Sequence, residues 1–175
     1  GAVAELDRNA LLPAIYFVFS RAGCEDAFSQ LANSSLVLTS PAEEKRIRRI
    51  VRERVGHLDP ADLATLGYQS WMRGLARGVA AHHAGMIPLF KETVEALFSE
   101  GLIKVVVATE TLALGINMPA RSVVLDRLDK WDGSQHSPLT PGEYAQLTGR
   151  AGRRGIDIEG HAVVLHSPAV RVEDV

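Results

Sequence analysis

Short, continuously apolar runs rich in β-branched residues recur along this 175-residue chain and alternate with segments that carry helix signals. The runs occupy residues 14–19, 78–83, 103–109, 122–125 and 161–166. Most are apolar at every position, which is typical of strands that are covered by helices on both faces of a sheet. The pattern therefore predicts an α/β fold with a doubly wound, mainly parallel sheet flanked by helices.

Two tetrapeptides mark helix starts. SPAE at residues 40–43 and TPGE at residues 140–143 each place a hydroxyl at the N-cap, proline at the first helical position and glutamate at the third. This arrangement predicts a capping box, in which the hydroxyl and the glutamate each accept a hydrogen bond from a backbone N–H group. A further helix is predicted over residues 88–100, and we expect Gly101 to end it.

Residues 41–77 depart from the alternation of strands and helices. Their pattern predicts consecutive helices, with a turn near residues 56–60, inserted into a single domain that covers residues 1–175. Acidic and basic residues are mixed at spacings of three and four in the first of these helices, which favours a solvent-exposed face over a nucleic-acid track.

Composition narrows the class of protein. A hydrophobic content of 46% fits one domain with its own core, and a net charge of −2 leaves room only for a local basic patch. The single cysteine, Cys24, cannot form an internal disulfide, and no apolar run approaches the ~20 residues that cross a membrane. We therefore expect a soluble protein of a reducing, cytoplasmic setting without a membrane partner.

The residues that follow the strands are the first candidates for a binding site, because ligands of open parallel sheets lie beyond the carboxyl ends of the strands. Ser20 and Arg21 follow the first strand, Thr109 ends the third, and the helix that starts at residue 140 runs into an arginine- and glycine-rich turn. We expect all of these segments at the carboxyl ends. A threonine that opens a helix offers a hydroxyl and a free N–H group to a phosphate oxygen. An ordinary helix cap is an equally good interpretation of Thr109.

The segment QLTGRAGRRG, residues 146–155, holds three arginines and three glycines. Four of its residues would share one face of a helix that starts near residue 141: Gln146, Gly149, Arg150 and Arg153. Guanidinium groups are always charged and fork onto phosphate oxygens, and the glycines allow close approach of a ligand. The segment predicts a phosphate site, in preference to arginines that only pair with carbonyl groups at a helix end.

Other chemistries are less well supported. The 175 residues contain no GxxxxGK[ST] loop and no paired-acid strand end that would hold magnesium. His82 and His83 are adjacent on a predicted strand, so they point to opposite faces and cannot share a metal. Asp126, Asp129 and Asp132 could surround a cation, but a turn with Asx hydrogen bonds is the favoured interpretation. The sequence therefore predicts no metal site.

Four stretches, taken together, resemble motifs IV to VI of the superkiller-type, exosome-associated branch of superfamily-two ATP-dependent RNA helicases. They are PAIYFVFSR, GVAAHHAGM, VVVATETLALGINMPA and LTPGEYAQLTGRAGRRG. The resemblance covers most of the chain outside residues 41–77. It implies the second of two RecA-like domains, with ATP in the cleft between them and Mg²⁺ held mainly by the first domain.

The resemblance also implies a role for each matching residue. Arginine fingers would be Arg150 and Arg153. Residues near the nucleotide would be Gln146, Gly149, Gly115 and Asn117. Contacts to the nucleic-acid backbone would come from Thr109, Ser20 and Arg21. The resemblance favours single-stranded RNA over DNA and implies, as partners, the first RecA-like domain and the accessory domains of the same full-length protein.

Two other functions stay open on the residues alone. The chain could be a separate nucleotide-binding module, or a non-catalytic scaffold that binds nucleic acid or protein. A scaffold has no need of Arg150, Arg153 or Thr109, so their presence favours half of a helicase motor.

The isolated chain is expected to show no ATPase activity above background, with or without RNA, because it carries no phosphate-binding loop of its own. Release of inorganic phosphate by the purified chain measures this directly. Strong turnover that Arg150→Ala abolishes would show that the chain is a complete ATPase and would contradict the half-motor interpretation.

Overall fold

A parallel sheet forms the centre of the computed structural model, which describes residues 1–115, 118–131 and 133–165. The strands in this part of the chain are β1 (Ala14–Phe17), β2 (Val79–His82), β3 (Val105–Ala108), β4 (Ser122–Leu125), β5 (Asp129–Trp131), β6 (His136–Pro138) and β7 (His161–Val164). Five of them form one sheet with the order β2-β3-β1-β4-β7, and every pair in it is parallel. The predicted parallel α/β fold is confirmed, although each predicted run except 122–125 is longer than its strand.

The helices in the described ranges are α1 (Ala2–Arg8), α2 (Arg21–Asn33), α3 (Pro41–Val55), α4 (Pro60–Thr65), α5 (Tyr68–Ala76), α6 (Pro88–Ser99), α7 (Thr111–Gly115) and α8 (Pro141–Thr148). Both predicted capping boxes are present. The Ser40 hydroxyl accepts from the Glu43 N–H at 3.2 Å, and the Glu43 carboxylate accepts from the Ser40 N–H at 2.8 Å. The same reciprocal pair starts α8.

Helices cover both faces of the sheet. Alternate side chains of each central strand point to opposite sides, and because these side chains are apolar, both faces have to be buried. Ile15 and Phe17 of β1 are buried in the larger core cluster, together with residues of α3, α6, α7 and α8. The opposite face packs against α1 and α2, with Cys24 and Phe28 of α2 in a second cluster. All four residues of β2, β3 and β4 are buried, as expected for strands between two helical layers.

Three helices, α3 to α5, occupy the segment between α2 and β2, which agrees with the consecutive helices predicted over residues 41–77. Helix α3 buries Ile47, Val51 and Val55 and exposes most of its charged residues. Because α5 contacts both α2 and α3, it closes the β2 edge of the sheet. That the segment is an insertion within one domain stays a prediction.

The parallel register determines where the loops meet. Phe17 is paired with both Ala108 and Leu125, and Ala108 is paired with His82. The carboxyl ends of β1, β2, β3 and β4 therefore lie side by side, and we call this side of the sheet the carboxyl edge. From that edge the chain after β3 returns across the sheet to Ala120, at the amino end of β4. None of the described helices combines the length and the apolar character needed to cross a lipid bilayer.

Two candidate functional surfaces

Thr109 lies at the carboxyl edge of the sheet, directly after β3. Its N–H donates to the His82 carbonyl at 3.3 Å, and its hydroxyl lies 3.0 Å from the hydroxyl of Thr111. The sequence predicted that Thr109 opens the helix, but helix α7 begins two residues later, at Thr111. Thr109 is only 8% exposed, whereas Thr111 is exposed. Thr111 was missed as a candidate residue, although the Thr-Glu-Thr spacing could have indicated it.

Ser20 and Arg21 meet the same edge at the start of α2. The Ser20 hydroxyl caps the helix by accepting from the Gly23 N–H at 3.0 Å. Arg21 is the first helical residue and is exposed, and its guanidinium forms no hydrogen bond or ion pair with the described part of the chain. It therefore presents a cation, without a partner in the described ranges, at the edge that also carries Thr109.

The loop after β2 is fixed by a buried histidine. Nδ1 of His83 accepts from the Gly85 N–H at 3.1 Å, so Nε2 carries the ring proton and donates to Glu25 Oε1 at 2.5 Å. A Cβ added to Gly85 would lie 3.0 Å from Nδ1 of His83 and 3.6 Å from Cδ of Arg21. The His83–Glu25 hydrogen bond thus holds α2 against the loop after β2, beside Arg21. Glu25 carries no sequence signal that would have identified it.

Two other titratable groups near this edge have structural roles. His82 bonds Glu95 at 2.8 Å, on the sheet face opposite to the His83–Glu25 pair, and burial lowers the pKa of His82. The Cys24 thiol donates to the Val107 carbonyl at 3.2 Å, and burial raises the pKa of this thiol to about 12. A thiol with so high a pKa stays protonated and is a poor nucleophile at neutral pH.

The arginine segment leaves the helix earlier than its periodicity predicts. Helix α8 ends at Thr148 with Gly149 as its C-cap, and Gly152 has a φ of +88°. The prediction that Gln146, Gly149, Arg150 and Arg153 share one helix face is therefore wrong, because the helix ends before Arg150 and the chain turns at Gly152. Gln146 and Gly149 are exposed at the end of α8.

A backbone pairing places this turn beside β4. The Ala120 N–H donates to the Arg150 carbonyl at 3.0 Å, and the Gly152 N–H donates to the Ala120 carbonyl at 2.7 Å. Ala120 precedes the amino end of β4, so the arginine turn lies at the side of the sheet where the strands begin, the amino edge. Thr109 lies at the opposite, carboxyl edge. The sequence had grouped them among segments at the carboxyl ends, and for the arginine turn this was wrong.

Arg150 connects the turn to α7. Its guanidinium donates to the carbonyl of Ala113, two residues before Gly115, which ends α7. The turn and the segment predicted to line the nucleotide are thus in contact through Arg150. Asn117, the other residue predicted for that segment, lies outside the described residues.

Arg153 is held by a carboxylate that the sequence analysis missed. Its Nε and Nη2 atoms donate to Asp157 at 2.8 Å each, and hydrogen bonds from Arg153 lower the pKa of Asp157 to about 2. The pair therefore stabilises the fold fully above the ordinary aspartate pKa of about 3.9, and this stability is lost as the pH falls toward 2. The Arg-to-Asp spacing of four residues was the available signal.

The surface around Arg153 is concave. A groove of about 910 Å³ runs beside Gly152 and Arg153, with Leu12, Met118 and Pro119 among its other lining residues. In the described ranges, no group of three or more histidine, cysteine, aspartate or glutamate side chains is arranged to hold a metal ion. Asp126 instead accepts a hydrogen bond from Tyr16, and Asp132 lies outside the described residues.

Comparison with known proteins identifies the family to which this architecture belongs. A family model described as "Helicase conserved C-terminal domain" matches residues 61–165. The chain belongs to this family. The match confirms the resemblance to a C-terminal helicase domain of the superkiller type, and the parallel sheet between helices is the RecA-like fold expected of it.

Curated relatives support the same assignment. The chain is 62% identical over 173 residues to "Probable helicase HelY" of Mycobacterium tuberculosis H37Rv, a match that covers 99% of this chain and 19% of that protein. It is 44% identical over 163 residues to human "Superkiller complex protein 2", covering 93% and 13%. The same identity and coverage hold for "DExH-box ATP-dependent RNA helicase DExH15 chloroplastic" of Arabidopsis thaliana. The chain thus spans less than a fifth of each of these relatives.

Gly160→Ala is expected to destabilise the arginine turn. A Cβ at Gly160 would lie 2.4 Å from the Ala151 carbonyl carbon and 2.5 Å from the Gly152 nitrogen, and backbone atoms cannot swing aside. We expect a loss of about 1–3 kcal/mol in the free energy of unfolding, measured by urea titration. Gly142→Ala is the matched control, because nothing lies within 4 Å of its added Cβ. Equal stability of the two variants would contradict the close packing of Gly160 on the turn.

Proposed function

We propose that this chain is the second half of an ATP-dependent helicase motor. In this proposal Arg150 and Arg153 act on ATP that a first RecA-like domain binds, while the carboxyl edge of the sheet grips the backbone of single-stranded RNA. The observation that supports it is that the arginine turn and the Thr109 edge are separate surfaces joined by one stretch of chain, residues 109–120. A motor needs such a connection between its nucleotide and its nucleic acid.

The nucleotide side of the proposal rests on fixed positive charge. Arg150 is held by the Ala113 carbonyl and Arg153 by Asp157, so both guanidinium groups are positioned before a ligand arrives. Donors that need no rearrangement stabilise charge that develops on a transferring phosphoryl group. Gln146 and Gly149 lie exposed on the preceding helix end and are proposed to contact the same nucleotide, together with Gly115 and Asn117.

The cofactor of this proposal is ATP with Mg²⁺. The cations of the arginine turn match the negative charge of a triphosphate, and Arg153 and Arg154 line the adjoining groove. Mg²⁺ supplies neutralisation of the β- and γ-phosphate oxygens when it is bound. We assign its ligands mainly to the first RecA-like domain, and this chain contributes the two guanidinium groups.

The nucleic-acid side of the proposal uses Thr109, Ser20 and Arg21. A hydroxyl pair, a capped helix start and the guanidinium of Arg21, which has no partner among the described residues, meet at the carboxyl edge. These groups suit phosphate and sugar oxygens, which position a strand without reading its sequence. Two relatives have "RNA helicase" or "Superkiller complex" in their names, so we propose single-stranded RNA as the substrate, with DNA as the second candidate.

Replacing Arg150 or Arg153 by alanine in the full-length protein should lower ATP turnover by about 10³-fold or more, the scale of arginine fingers. The affinity for ATP should fall much less, because the charge that these groups meet develops in the transition state. Lysine should restore little, since it lacks the fork. Steady-state phosphate release and nucleotide binding measure the two effects.

The matched control for these variants is Arg49→Ala. Arg49 is an exposed arginine of α3 and forms no ion pair with the described residues, so its loss should leave turnover unchanged. Near-normal turnover of Arg153→Lys or of Arg150→Ala would count against the finger role. In that case a non-catalytic, nucleic-acid-binding module would be the better description of the domain.

Thr109→Val keeps the shape of the side chain and removes the hydroxyl that pairs with Thr111. In the full-length protein it should weaken RNA stimulation of the ATPase by roughly three- to tenfold, the effect of one hydrogen bond of about 1 kcal/mol. Basal ATPase should change less. Thr65→Val is the control, because Thr65 is an exposed threonine that bonds only within α4. An equal loss of basal and stimulated activity would contradict the proposed role.

Salt dependence provides a second measurement of the same contact. With about one to two phosphates neutralised, the log affinity of the isolated chain for single-stranded RNA should fall by ~0.7 to 1.4 per tenfold rise in salt. A slope of several units would instead indicate that the arginines of α3 form a nucleic-acid track.

A further inference from the structure

Asp157 is bound to Arg153 more completely than an ordinary ion pair requires. Its carboxylate accepts three hydrogen bonds from that one residue, from the backbone N–H at 2.9 Å and from Nε and Nη2 at 2.8 Å each. The Asp157 N–H also donates to the Arg153 carbonyl at 3.0 Å, which closes the turn between the two residues. Backbone and side chain therefore hold the carboxylate in one place.

Burial distinguishes this pair from the other arginine–carboxylate pairs in the described ranges. The Asp157 side chain is 4% exposed and the Arg153 side chain 26%, whereas Arg48 and Glu44, also four residues apart, are 51% and 43% exposed. Exposed pairs of the second kind contribute little, since water and side-chain motion weaken them. The Arg153–Asp157 pair lacks most of that screening.

The geometry leaves part of the guanidinium available. Of the five N–H donors of an arginine side chain, Asp157 takes the one on Nε and one of the two on Nη2. Both donors on Nη1 and the second on Nη2 are not used by Asp157. Arg153 can therefore keep Asp157 and bind a phosphoryl oxygen at the same time.

Resting on the function proposed above, we propose that Asp157 is a positioning residue, which holds the Arg153 guanidinium so that its remaining donors meet the transferring phosphoryl group. The alternative is a restraint, in which Arg153 must leave Asp157 before it can act. The hydrogen bonds argue against the restraint, because release of the guanidinium would break both of its charge-assisted hydrogen bonds to Asp157. An intact Arg153–Asp157 pair keeps these hydrogen bonds and holds the remaining N–H donors of Arg153 in place before the reaction.

The test is a double-mutant cycle on kcat in the full-length protein. Asp157→Asn keeps the size of the side chain but removes its charge and one acceptor oxygen. It should lower kcat by roughly 10- to 100-fold, the effect of a small misplacement of a catalytic group, and change the KM for ATP much less. In an Arg153→Ala background the same substitution should have little further effect, because there is no guanidinium left to position.

Two further variants control for folding and for charge. Glu44→Gln removes the carboxylate of the exposed Arg48 pair at the same spacing of four residues, and it should leave kcat unchanged. Asp157→Glu keeps a charged fork and should have a higher kcat than Asp157→Asn. If Asp157→Asn folds poorly, the kcat of Asp157→Glu with and without Arg153 takes its place in the cycle. Urea unfolding of each variant separates lost stability from lost positioning.

Four outcomes would overturn the role of Asp157. A higher kcat in Asp157→Asn would show a restraint, and an equal loss of kcat with and without Arg153 would show a purely structural role. Normal kcat in Asp157→Asn while Arg153→Ala is impaired would refute the positioning role alone and leave the proposed function intact. Normal kcat in Arg153→Ala would refute the finger role of Arg153 itself, and the role of Asp157 with it.

Discussion

The parallel pairing of β1 with β3 and β4 is the constraint on which the other features depend. Parallel neighbours need a crossover between them, so the chain that leaves β3 at Thr109 must travel back along the sheet to reach Ala120. That return path carries α7 past the arginine turn, where the Ala113 carbonyl receives Arg150. One short segment thus connects the Thr109 edge with the arginine turn.

The two surfaces differ in how their polar groups are held. At the carboxyl edge the groups are exposed or paired through hydroxyls, as with Thr109 and Thr111, and Arg21 forms no ion pair within the described chain. At the amino edge Arg150 is held by a carbonyl and Arg153 by a buried carboxylate. Fixed donors suit a reaction in which charge develops at one point, while adaptable donors suit a backbone that slides past.

Most of the fold was predictable because its signals are local. The continuously apolar runs predicted the strands, and each capping box needs only residues within one turn of helix, as at Ser40 and Thr140. The candidate site was predictable in part, since the segments after β1 and β3 do meet at one edge. The arginine turn was misplaced because helical periodicity was extended through Gly149, where the helix ends. Periodicity carries no information on where a glycine-rich segment turns.

The sequence by itself determined the five strands of the parallel sheet, the capped starts of α3 and α8 and the family to which the chain belongs, because apolar runs, caps and motifs consist of neighbouring residues. Only the tertiary structure decided that the arginine turn lies at the amino edge, that Arg150 meets Ala113 and that His83 is fixed by Glu25. Those partners are 37 and 58 positions apart in the chain. The register of the sheet and the packing of its helices bring such distant residues together, and no local pattern of residue types encodes that placement.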